Sequence, residues 1–149
     1  MLPECADLLS LEQVHAALGD DRPEGPYPRD AAEAPSVLGP SARETFATAT
    51  GAVECGYSIP NSDGGFHIIV LDVDATSASE LVSELDASDE YERTTRGDIV
   101  MFSTEIPDGI GMYLGYAFDG NVWGIVYGTI VGPASSVNVA AAAVTAVLG

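Results

Sequence analysis

Few residues in this chain could do chemistry: two cysteines, two histidines, and 23 acidic residues set against 5 basic ones. Cys5 and Cys55 follow Glu4 and Glu54, the first just ahead of a predicted helix and the second inside a predicted strand. A bridge between them closes a loop of about 50 residues, worth roughly 4 kcal/mol in the chain-entropy account, less any strain. It would also tether the proline-rich stretch between them and imply an oxidising compartment. The alternative is two unrelated thiols, because pairing cannot be read from sequence alone. Cys5 does not suit lipid attachment, since Glu4 stands where a lipobox needs a small residue.

Other chemistries find less footing. His15 and His67 have metal-ligand spacing neither with each other nor with a cysteine, so no metal ligand is expected. There is no nucleophile elbow, Walker loop, dinucleotide fingerprint or zinc-protease helix, so no catalytic residue and no cofactor is assigned. Asp72-Val73-Asp74 and the group Asp20, Asp21 and Glu24 are acidic clusters without a calcium-loop consensus. They read as solvated acids, and Asp72 and Asp74 suit the positive end of the helix that follows. Arg96-Gly97-Asp98 spells an adhesion tripeptide, but such tripeptides arise often by chance and this one leads straight into a strand.

The formal charge is −18 and every basic residue is arginine. Phosphate backbones and anionic membranes require neutralisation by Lys or Arg, so a nucleic-acid partner is excluded. The excess fits a solubility property better than a functional one, although a basic protein docking on this surface is the alternative. No apolar run approaches a membrane span. Met1-Leu2-Pro3-Glu4 carries neither the basic nor the apolar region of a signal peptide. That leaves a cytoplasmic protein or a mature exported domain.

These residues are positioned by elements with clear local signals. Ser10-Leu11-Glu12-Gln13 is a capping box opening a helix over 10–18, closed by Gly19. Residues 20–51 hold five of the nine prolines and read as a long loop with room for a short helix at Ser41-Ala42-Arg43-Glu44. Alternation from Val53 to Ile59 predicts a half-buried strand, and the apolar run from Phe66 to Val73 a central one. Ser77 is the expected cap of a second helix carrying Ala78, Leu81, Val82 and Leu85 on one face. Residues 86–98 are polar; a third strand spans 99–106, broken by Pro107-Asp108-Gly109. Met112 to Phe118 and Asn121 to Ile130 flank Asp119-Gly120, a two-residue hairpin turn. A helix from Ala134 to Leu148 ends the chain. The expectation is one α+β domain over 1–149, a five-stranded antiparallel sheet in the order α-β-β-α-β-β-β-α.

The hairpin's two faces differ. Pairing about Asp119-Gly120 sets Tyr116 against Trp123, Leu114 against Ile125 and Met112 against Tyr127, all on one bulky face. The other face is small, with Gly115 and Gly124, and suits close approach by the C-terminal helix. The bulky face is either one side of the core or the wall of an apolar pocket lined by Met112, Leu114, Tyr116, Trp123, Ile125 and Tyr127, with Tyr27 as cover.

The start Glu4-Cys5, Leu8-Leu9, Val14 and Leu18-Gly19, followed by Cys55-Gly56-Tyr57 opening a strand, resembles small secreted actinobacterial lipoproteins and sensor-type envelope domains of unknown function. In plan it is similar to the extracellular sensor domain of mycobacterial receptor Ser/Thr kinases. The resemblance covers the N-terminal helix region and the surroundings of Cys55. Tyr57 stands where tryptophan is commoner, and the second disulfide of the kinase sensors has no cysteines here. It implies a secreted or envelope-associated, disulfide-tied α+β domain that binds rather than catalyses; with the bulky hairpin face, the expectation is a module for a small apolar ligand or an envelope protein. The alternative is an interaction protein that docks a basic partner through its acidic surface and has no pocket.

Overall fold

The structure, a computed structural model, describes residues 2–31, 33–107 and 111–149. Asp108 and Gly109 of the expected strand break lie outside the described residues. One antiparallel sheet carries seven strands in the order β1-β2-β3-β7-β6-β5-β4. In chain order these are β1 (Glu24–Arg29), β2 (Gly51–Ser58), β3 (Gly65–Asp72), β4 (Glu92–Arg96), β5 (Ile99–Glu105), β6 (Tyr113–Asp119) and β7 (Val122–Gly128). The helices are α1 (Cys5–Leu8), α2 (Leu11–Leu18), α3 (Pro40–Phe46), α4 (Ala75–Ala87) and α5 (Pro133–Leu148).

The α+β class holds, but the sheet has seven strands rather than five. Both additional strands are edges, where local signals are weakest. In β1, Pro26 and Pro28 read as loop, yet proline is tolerated on an edge whose outer side needs no ladder bond. β4, Glu-Arg-Thr-Thr-Arg, has no apolar residue to alternate and is exposed throughout. The segment 20–51 therefore contains β1 as well as the short helix α3.

Local chemistry sets most boundaries. In α2 the Gln13 N–H donates to Ser10 Oγ at 3.1 Å and the Ser10 N–H to Gln13 Oε1 at 2.8 Å, and Gly19 closes the helix at φ +76°. In α4 the cap is Asp74 rather than Ser77: its carboxylate accepts from the Ser77 N–H at 3.0 Å, so the helix starts at Ala75. A carboxylate at this position also meets the helix dipole.

The β6–β7 turn is Gly120-Asn121, one residue beyond the expected one. Asp119 pairs with Val122, and Gly120 takes the first loop position at φ +59°. The Asn121 carbonyl accepts from the Val73 N–H at 2.9 Å, and its side-chain amide donates to Asp72. Both contacts tie the turn to the end of β3. Tyr116 therefore pairs with Ile125, Leu114 with Tyr127 and Phe118 with Trp123. Moving the turn by one residue slides the register by two, so every side chain keeps its face.

The two faces carry separate cores. On the small face, α1, α2 and α5 cover Cys55, Ile68, Val70, Met101, Ala117 and Val126. A Cβ on Gly115 would lie 2.7 Å from the Ser136 backbone and one on Gly124 2.9 Å from the Ala140 carbonyl, so only glycine lets α5 sit this close. The Cys5–Cys55 disulfide is formed, with Cα atoms 5.7 Å apart, and fastens α1 to β2. On the bulky face, α3 and α4 cover Leu71, Phe102, Phe118 and Trp123 with Phe46, Leu81 and Leu85.

Candidate functional site

The seven residues expected to line a pocket divide into two groups. Leu114, Tyr116, Trp123 and Ile125 are buried, Trp123 at 0% exposure. The Trp123 ring lies 5.3 Å from Tyr116 edge-on, 5.4 Å from Phe118 stacked and 6.5 Å from Phe46 edge-on, centroid to centroid. Tyr116, Trp123 and Ile125 pack into the core beneath α3 and α4, whereas Leu114, though buried, also borders a separate recess of about 490 Å³ with Tyr91 and Ile106. Tyr27, Met112 and Tyr127 come together elsewhere, around a cleft of about 420 Å³ at the other end of the same face.

The cleft follows from one row of cross-strand neighbours. Tyr27 pairs with Gly56, Gly56 with His67, and His67 with Tyr127. Side chains opposite one another in a sheet share a face, so the row presents tyrosine, nothing, histidine and tyrosine. Gly56 is the hollow. A Cβ there would lie 3.1 Å from Arg29 Cδ and 3.7 Å from His67 Cε1, so the arginine stem and the imidazole lean over the glycine. The His67 and Tyr127 rings stack at 4.9 Å. Tyr27 is 49% exposed, its ring open to solvent on the edge strand.

Beneath the row is Glu54, a buried carboxylate. The Tyr127 hydroxyl donates to Glu54 Oε2 at 3.4 Å, and His67 Nδ1 lies 3.1 Å from the same oxygen. His67 Nδ1 nonetheless makes no hydrogen bond there, so His67 and Glu54 are in close contact without a finished hydrogen bond. Desolvation is the main reason the Tyr127 phenol is pushed up to about 12; the Glu54 charge adds to it and Arg29 opposes it. Burial pushes Tyr57, also on the cleft wall, to about 12. The hydroxyls at the turn end serve the backbone: Ser62 Oγ donates to the Ile59 carbonyl at 3.1 Å, and Thr129 Oγ1 accepts from the Gly65 N–H at 3.1 Å.

Arg29, Glu54, Gly56 and His67 escaped the sequence reading. Two of them left a trace, since a glycine inside a strand marks a close approach and a histidine interrupts the otherwise apolar β3. The other singled-out residues lie apart from the cleft. His15 Nε2 contacts the Pro23 carbonyl at 2.8 Å. Asp20 pairs with Arg22 at 2.6 Å, and that hydrogen-bonded guanidinium draws its carboxyl down to about 2. Asp72 accepts from Asn121. Arg96-Gly97-Asp98 is the tight β4–β5 turn, with Gly97 at φ +61°. Among the described residues no group of three or more His, Cys, Asp or Glu side chains is placed to hold a metal, and no helix is long and apolar enough to cross a membrane.

The chain is similar in fold to the extracellular domain of PknH from Mycobacterium tuberculosis. The TM-score is 0.57 at 15% identity, over 96% of this chain and 93% of that chain. At such identity the likeness is one of fold alone. No protein-family model matches the sequence, and no curated protein does either.

Proposed function

We propose that this chain is a non-catalytic binding module of the cell envelope and that its ligand enters the cleft between Tyr27, His67, Tyr127 and Met112. The carrying observation is the cleft itself, about 420 Å³ on one sheet face and rimmed by three of the residues expected to bind. That volume suits a small molecule. An exported location is supported by the disulfide, which persists in oxidising compartments, and by the fold shared with an extracellular domain. Binding without turnover is supported by the site's chemistry. The cleft hydroxyls of Ser62 and Thr129 are held in turn hydrogen bonds, and the imidazole makes no finished hydrogen bond to its carboxylate.

The test is a screen of small apolar and amphiphilic compounds followed by amide chemical shifts of the folded protein. Binders should move Gly56, Gly64, Gly65 and Tyr127, and Tyr127→Ala should weaken them by about tenfold, as expected for losing a stacked aromatic wall. A screen whose every hit acts elsewhere on the protein would overturn the proposal.

A further inference from the structure

We infer that the ligand of this cleft carries an anionic group, a carboxylate or a phosphate, received by Arg29. Its adjoining flat apolar part then lies against Tyr27 and the His67–Tyr127 stack. This deepens the binding reading above and rests on it.

The observation is where the chain's scarce positive charge goes. There are 5 arginines among 23 acids. Arg22 pairs with Asp20 at 2.6 Å, and Arg93 with Asp86. Arg43 donates to the carbonyls of Leu38 at 3.1 Å and Pro35 at 3.0 Å, and Arg96 to Asn138 Oδ1 at 2.8 Å. Of the five arginines, all among the described residues, Arg29 alone has a side chain with neither a hydrogen bond nor an ion pair.

In a chain of charge −18 that is not for want of a carboxylate. Glu54 stands directly opposite Arg29 in the β1–β2 ladder. Its carboxylate faces inward instead, against the Tyr127 hydroxyl and His67. Arg29 bends the other way, its Cδ over Gly56, at the centre of the hollow. A side chain at position 56 would press on the Arg29 stem at 3.1 Å, so Gly56 leaves Arg29 room to lean over the cleft from the exposed edge.

A guanidinium presents a rigid fork of donors that matches a carboxylate or phosphate two bonds at a time. The exposed Tyr27 ring and the stacked His67–Tyr127 pair flank it with flat apolar surface. Asp63 makes the β2–β3 turn end of the cleft unfavourable for an anion, while Glu54, opposite Arg29, has its carboxylate turned to Tyr127 and His67.

Three probes of one shape test this on the full chain: phenylacetate, phenyl phosphate and the neutral phenylacetamide, followed by the amide shifts of Gly56, Gly64, Gly65 and Tyr127. Both anions should bind at least about tenfold more tightly than phenylacetamide, the margin expected for a charge-assisted fork. Which anion binds tighter separates a carboxylate ligand from a phosphate one. Arg29→Gln, on an exposed edge and so expected to fold normally, should erase the margin, and Arg29→Lys should keep part of it. If all three probes bind alike to the native protein, or if the margin survives Arg29→Gln, the anion assignment is overturned while the cleft reading stands. If none of the three moves those amides, both readings fail.

Discussion

Two ends of one sheet face use the same strands to opposite effect. At one end Leu71 of β3 and Trp123 of β7 are cross-strand partners sealed beneath α3 and α4. Four residues along each strand, about 13 Å away at strand rise, His67 and Tyr127 are also partners, and there the face is open. Both ends are aromatic, and the β3–β7 ladder runs unbroken between them. The difference lies overhead: α3 and α4 roof one end only, and at the other Gly56 leaves a gap that the neighbouring rings do not fill. An aromatic stripe is thus core or binding surface according to what covers it, not according to its own composition.

The largest expected effect should fall at the roofed end. Trp123→Ala opens a cavity in a filled core and should cost about 3–5 kcal/mol in urea denaturation. Tyr127→Ala, half-exposed, should cost less than half as much; equal costs would erase the distinction between the two ends. Next is the staple behind the open end. Replacing Cys5 and Cys55 by serine should remove about 4 kcal/mol at most, less whatever strain the bridge holds. The loss should show first as faster amide exchange in β1 and β2, and a variant as stable as the oxidised protein would sink this view of the bridge.

The phenols give an intermediate test. Burial raises Tyr57 and Tyr127 to about 12, lifts Tyr91, and holds Tyr116 well above 10. These groups keep their protons in the fold after the unfolded chain, near 10, has released them, so the folded state binds more protons and stability falls as pH rises from about 10 to 12. An ultraviolet titration should show Tyr57 and Tyr127 ionising near 12 in the folded protein, with Tyr116 ionising only on unfolding. Ionisation of all six tyrosines in one step near 10 would contradict the burial at both ends. The smallest effect is at the rim: Tyr27→Ala should change stability by no more than about 0.5 kcal/mol, as for an exposed site. It should nonetheless weaken ligand binding, and a variant that binds as well as the native protein would remove Tyr27 from the site.

Much of the fold was legible because its signals are local. The Ser10 capping box, the Gly19 stop and the alternation through β2 each depend on a few neighbouring residues. The hairpin illustrates how far this reaches: the turn was misplaced by one residue, yet period-two geometry kept Trp123 and Tyr116 on their correct face. β1 and β4 were illegible for the converse reason, since an edge strand is held by its partner rather than by its own pattern. Of the site, Tyr27, Tyr127 and Met112 were visible as aromatic or bulky residues, whereas Arg29 and Glu54 looked like any other surface charges.

The amino-acid order alone determined which hairpin side chains share a face, that α2, α4 and α5 form, and that two cysteines were available to join, because the first two rest on backbone period and short-range capping. Only the tertiary structure decided that those cysteines meet, that Glu54, His67 and Tyr127 from three strands share one spot, and that α3 and α4 stop short of it. Those contacts join residues up to 73 apart in the chain. No local rule carries such information; it arises when the strand order β2-β3-β7 sets distant segments side by side.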